Sequence, residues 1–154
     1  RQSQPEPGNM THCLPQHGLC TVDQMDTPHI YIAGPMRGYP EFNFPAFFAA
    51  EDRITERYTE VEVFNPAKRD NEHHGTDISV GNPTGSEEQA AEEHGFDLRE
   101  ALGADCAWIC AKATGIYMLN GWEGSSGARA ELALAQALGL NVMYEPLIFA
   151  GPGK

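Results

Sequence analysis

No apolar run in this chain approaches the about 20 residues that a membrane-spanning helix needs, so no membrane partner is expected. No basic segment followed by an apolar stretch marks a secretory leader, and the reading is of a cytoplasmic protein. Positive charge is scarce. Ten Lys and Arg stand against 22 Asp and Glu, a formal net charge of −12. That balance excludes an extended nucleic-acid polymer surface, which draws its affinity from many cations on phosphates. A mononucleotide needs only one or two donors, so the acidity leaves a small phosphate site open, provided that backbone N–H groups build most of it. Cysteine is also sparse, at positions 13, 20, 106 and 110. Cys106 and Cys110 lie four apart on a predicted helix, a spacing that suits packing better than a disulfide and favours a reducing compartment. His12, Cys13, His17 and Cys20 lie close together, but their spacing matches no familiar zinc finger. Neither a metal nor a cofactor is expected.

What is present is ordinary globular composition, 41% hydrophobic and 21% charged over 154 residues, which suits about one domain. Residues 1–28 hold scattered Pro, Gln and Gly without an apolar period and read as a disordered or irregular tail. A single α/β domain is expected over 29–146, with a short C-terminal tail over 147–154. Ile30-Tyr31-Ile32-Ala33 reads as a strand stopped by Gly34-Pro35, and Asn43 as the N-cap of a helix carrying Ala46, Phe47, Ala50 and Ile54. A second strand over 61–64 stops at Asn65-Pro66. Residues 67–86 read as a long polar connection of the kind often used as a lid. A helical stretch over 87–111, broken near Gly95 and Gly103, a strand over 115–119, a helix over 128–138 and a strand over 141–144 complete the pattern. Strands alternating with helices predict a doubly wound, flavodoxin- or Rossmann-like α/β fold. Its sheet would be mainly parallel, of four to five strands, with helices on both faces.

Ligands in such folds bind beyond the carboxyl ends of the strands. Two loops at that edge stand out. The first, Gly34-Pro35-Met36-Arg37-Gly38, combines permissive glycines, free amides and a forked cation, a combination suited to phosphate. Substrate or phosphate binding is assigned to these five residues and to Asn43 beyond them. The second loop leads from Gly121 and Trp122 into Ser125-Ser126-Gly127, a helix start whose N–H groups and dipole suit an anion. Glu131 follows one turn later, either as an acid offsetting that dipole or as a catalytic carboxylate. Asp105 sits in the otherwise apolar stretch Ala104–Cys110. A carboxyl there suits a two-carboxyl site of the kind that cleaves glycosidic bonds.

Together, Tyr31-Ile32-Ala33-Gly34-Pro35-Met36-Arg37-Gly38, Asp105 and Ser125-x-Gly127-x-x-x-Glu131 give a chain that resembles the nucleoside 2-deoxyribosyltransferase superfamily over about residues 29–145. Within it the chain looks most like the 2′-deoxynucleoside 5′-monophosphate N-glycosidase branch and its phage and bacterial relatives. The resemblance implies Glu131 as the nucleophile on C1′ of the sugar and Tyr31 beside it. It implies Asp105 as the group that holds the sugar or helps to protonate the leaving base. It also implies Arg37 and Ser125 at the 5′-phosphate, Gly127 as a backbone phosphate contact, and a homodimer. Trp122 is either a base-stacking residue or an aromatic packed under its turn, and His73 or His74 is a further candidate acid. The expected activity is hydrolysis of nucleoside 5′-monophosphates to base and sugar phosphate. Base exchange between nucleosides and a non-catalytic nucleotide sensor are the alternatives.

Overall fold

The computed structural model describes residues 26–147, so the tail residues His12, Cys13, His17 and Cys20 lie outside the described residues. Four strands, β1 (His29–Ala33), β2 (Glu62–Phe64), β3 (Gly115–Met118) and β4 (Asn141–Tyr144), form one sheet in the order β2-β1-β3-β4. Every neighbouring pair is parallel, with Tyr31 opposite Phe64 on one side and Ile116 on the other. Five helices connect them: α1 (Phe44–Arg57), α2 (Pro66–His74), α3 (Glu87–His94), α4 (Leu98–Ala111) and α5 (Ser126–Ala137). This is the doubly wound α/β architecture that the alternating pattern predicts. No helix among the described residues is long and apolar enough to cross a membrane.

The pleat of β1 divides the interior into two cores. Ile30 and Ile32 face Phe47, Ala50 and Ile54 of α1, joined by Ala67, Ile78 and Ala90. Tyr31 and Ala33 face Ile109 of α4 and Ala128, Leu132 and Ala135 of α5. The period-2 alternation of the strand meets the 3.6-residue stripe of each helix, and each large side chain fully buried contributes about 1.5–3 kcal/mol.

Three local expectations need correction. Residues 67–86 are not one open connection. Asn65 accepts from the amides of Ala67 and Lys68 at 3.0 and 3.4 Å, and with Pro66 in the first turn it starts α2. The segment beyond α2 folds inward on Ile78 and Asn82, which are 2% and 1% exposed. The helical stretch over 87–111 breaks at Gly95, where φ is +72°, and runs unbroken through Gly103. Asn43 does stand at the start of α1, but with φ +59° its side chain makes no cap. Its Nδ2 instead donates to the Pro35 carbonyl at 3.0 Å.

Candidate functional site

The chain leaves β1 toward β2 and returns to β3 on the other side of β1, so the loops after β1 and β3 part to open a crevice at the carboxyl edge. A cavity of about 260 Å³ lies there, lined by the first loop, the start of α5 and side chains from α2 and α4.

Tyr31 and Glu131 form its floor. Tyr31, wholly buried on the central strand and stacked 5.5 Å from Phe64, donates its hydroxyl to Glu131 Oε1 at 2.8 Å. Glu131 sits on the inward face of α5, 6% exposed. Its pKa is raised to about 8, chiefly by burial and then by Asp105, with the tyrosine hydroxyl partly opposing both. Tyr31 is itself held well above the usual phenol range by burial and by Glu131, so it remains a donor. Asp105, on the buried face of α4, is raised to about 7 by burial and then by Asp70. Its Oδ1 is buried with no hydrogen-bond partner among the described residues. An orphaned carboxyl oxygen is costly and is a ready contact for a ligand O–H or N–H. The structure thus brings together three residues that lie far apart in the sequence. A buried carboxylate steadied by a tyrosine, beside a second carboxyl near neutral pKa, can serve as nucleophile and proton donor.

The anion-binding features are partly rearranged. Ser125 is the N-cap of α5, its Oγ accepting from the Ala128 amide at 3.2 Å. Ser126, Gly127, Met36 and Arg37 all line the cavity, and their amides have no partner among the described residues. Arg37 is at the mouth but not free: its Nε donates to Glu87 Oε1 at 2.7 Å. Gly34 is required by packing rather than by a ligand, since a Cβ there would lie 2.7 Å from the Leu119 side chain. Gly38 spends its amide on the Gly85 carbonyl and, with Asn43, is absent from the cavity wall, where Gly34, Pro35 and Met36 do appear. Trp122 packs against the α5 core and lies 6.0 Å from Tyr144, so it is the aromatic under its turn and not part of the cavity lining. His73 pairs with Glu100 at 3.2 Å, and neither His73 nor His74 lines the cavity.

Two charged lining residues escape the sequence reading. Asp70, 4% exposed, projects from α2, and Glu87 from the first turn of α3. The signal for Asp70 was available: Asn65-Pro66 is a helix-start pair, and Asp70 falls on the same face as Ala67 of that helix.

Residues 28–144 match the model of the family described as Domain of unknown function (DUF4406), and the protein belongs to that family. No curated protein and no solved structure matches the chain.

Proposed function

We propose that this protein cleaves the N-glycosidic bond of nucleoside 5′-monophosphates, releasing the base and the sugar phosphate. The observation that carries the reading is the buried Tyr31–Glu131 hydrogen bond of 2.8 Å, set beside Asp105 in the cavity at the strand ends. An N-glycosidic bond breaks through an oxocarbenium-like state, whose positive charge a carboxylate under C1′ stabilises and then traps. Glu131 is that carboxylate. Its attack on C1′ forms a glycosyl ester as the C1′–N bond breaks, and the bonding pair leaves with the base. Asp105 supplies the proton that the departing nitrogen takes up. Water then attacks C1′, its proton returns to Asp105, and the Glu131 carboxylate is restored. The unpartnered amides of Met36, Arg37, Ser126 and Gly127 are the donors for the phosphate, with Arg37 beside them.

The test is Glu131→Gln, followed by chromatography for released base from a panel of nucleotides. Turnover is expected to fall by several orders of magnitude while nucleotide binding persists. Turnover within tenfold of wild type would remove Glu131 as nucleophile. The resemblance also supports base transfer as a second reading, and the Arg37–Glu87 pair adds to it, because a site whose cation is engaged suits an uncharged nucleoside.

A further inference from the structure

The catalytic reading accounts for Tyr31, Asp105, Glu131 and the loop amides, but not for Asp70 or for the space beside it. A side cavity of about 70 Å³ adjoins the main one and shares Asp70, Arg37 and Glu87 with it. Its other walls are apolar: Met36, Phe42, Phe44, Ile78, Phe96 and Leu98. Arg37 Nε and Glu87 Oε1 pair with each other at 2.7 Å, and Asp70 is the third polar residue on this space and the most buried of the three. Arg69 holds Asp70 Oδ1 at 3.0 Å, and Oδ2 has no partner among the described residues. A buried carboxylate with one oxygen fixed and the other open is an oriented acceptor.

We propose that this apolar side cavity receives the heteroaromatic base and that Asp70 accepts a hydrogen bond from an exocyclic amino group on it, selecting amino-bearing bases over those without one. This rests on the glycosidic reading for why a base is present. It adds a residue and a chemical preference that the reading does not contain. Apolar and aromatic walls suit a flat ring with little polar surface on its faces. The open oxygen meets the ring's edge, where a donor is rewarded and a carbonyl repelled. Asp70 and Asp105 are close enough for one charge to act on the other, so a base seated at Asp70 is near the group that would protonate it.

Calorimetry with free bases tests this without requiring turnover. The pairs are adenine against unsubstituted purine, and cytosine against 2-pyrimidinone. Wild type is expected to bind the amino-bearing member of at least one pair about ten- to a hundredfold more tightly, the usual range for a hydrogen bond to a charged group. Asp70→Asn should bring that ratio below about threefold, since the amide is uncharged and can present its own N–H. No preference in wild type, no measurable binding of any base, or a preference kept by Asp70→Asn would overturn the inference. Leu98→Trp is a second variant at a rim position that is 41% exposed and leaves the Asp70–Arg69 pair untouched. It should weaken base binding at least tenfold, and unchanged binding would equally overturn the placement. Base release from nucleotides, measured in parallel, separates the two ideas. An amino preference without any release would retire the glycosidic reading and leave Asp70 standing. Normal release with a base preference indifferent to Asp70→Asn would retire Asp70 alone.

Discussion

At the scale of single residues, Glu131 and Asp105 share a burden that gives the proposed activity a characteristic pH dependence. Both carboxyls are pushed up chiefly by burial, to about 8 and about 7 respectively. Below the lower value both carry protons and Glu131 cannot attack. Above the higher value both are ionised and no proton is left for the base. Between them one proton is shared by the pair, and the reactive form keeps it on Asp105. The kcat/KM profile is therefore expected to be a bell with its maximum between about pH 7 and 8. Asp105→Asn should lower the maximum and abolish the alkaline limb, because an amide has no proton to give to the departing base. A flat profile across this range would detach these groups from the rate. Arg37 offers a second residue-level test. Arg37→Ala should lower kcat/KM for a monophosphate about ten- to a hundredfold and scarcely affect its nucleoside. Glu87→Gln frees the guanidinium and should raise monophosphate use by up to about fivefold, because an exposed ion pair is worth at most about 1 kcal/mol. Equal losses on both substrates in Arg37→Ala would make Arg37 a structural residue.

At the scale of elements, the site depends on an uncommon stretch of backbone. Glu41, Phe42 and Asn43 follow one another with φ of +53°, +50° and +59°, a left-handed run that side chains normally avoid. It persists because the neighbours fix it. The Glu41 amide donates to the Asn82 carbonyl at 3.0 Å, Phe42 is buried, and Asn43 holds the Pro35 carbonyl. Asn82 also bonds both the amide and the carbonyl of Ser86 at 2.8 Å, setting the start of α3 and hence the position of Glu87. Asn82→Ala is expected to cost about 1–3 kcal/mol by chemical denaturation, because it removes both side-chain bonds to Ser86 and leaves that part-buried amide unpaired, while the Ser86 carbonyl keeps the Ala90 amide. It should also weaken nucleotide binding; a loss under 0.5 kcal/mol would show that the segment closes without it. This anchoring was not legible in the sequence, because Glu41 and Asn82 meet only once the chain is folded. The strands and α1 were legible, since Ile30-Tyr31-Ile32-Ala33 and Phe47, Ala50 and Ile54 carry their periods within a few residues. Glu131 and Asp105 stood out in the sequence by their places on helices, and Tyr31 only through the family resemblance; the fold sets all three on one cavity. Asp70 was missed because its helix is polar, and a polar nine-residue helix shows its start only in the Asn65-Pro66 pair.

At the scale of the whole molecule, the buried carboxyls of the cavity act against stability. Unfolded, Glu131 would titrate near its ordinary 4.5, whereas the folded chain raises it to about 8. Between those values the folded state binds more protons than the unfolded state, so stability falls as pH rises through the window. Glu131→Gln should raise the melting temperature at pH 8 and above by roughly 5 °C, from a relief of about 2 kcal/mol, and by much less at pH 5. An equal shift at both pH values would mean that charge burial is not the cause. The two halves of the cavity also differ in how the fold holds them. Tyr31 stands on the central strand under Phe64 and Trp108, whereas α3 buries only Ala90. Amide hydrogens around Tyr31 should therefore exchange only when the entire domain opens, and those of α3 through small local openings. Substitutions in the yielding half can accumulate without unfolding the chain, so descendants of this sequence can reshape that wall of the cavity while inheriting the buried Tyr31–Glu131 pair intact.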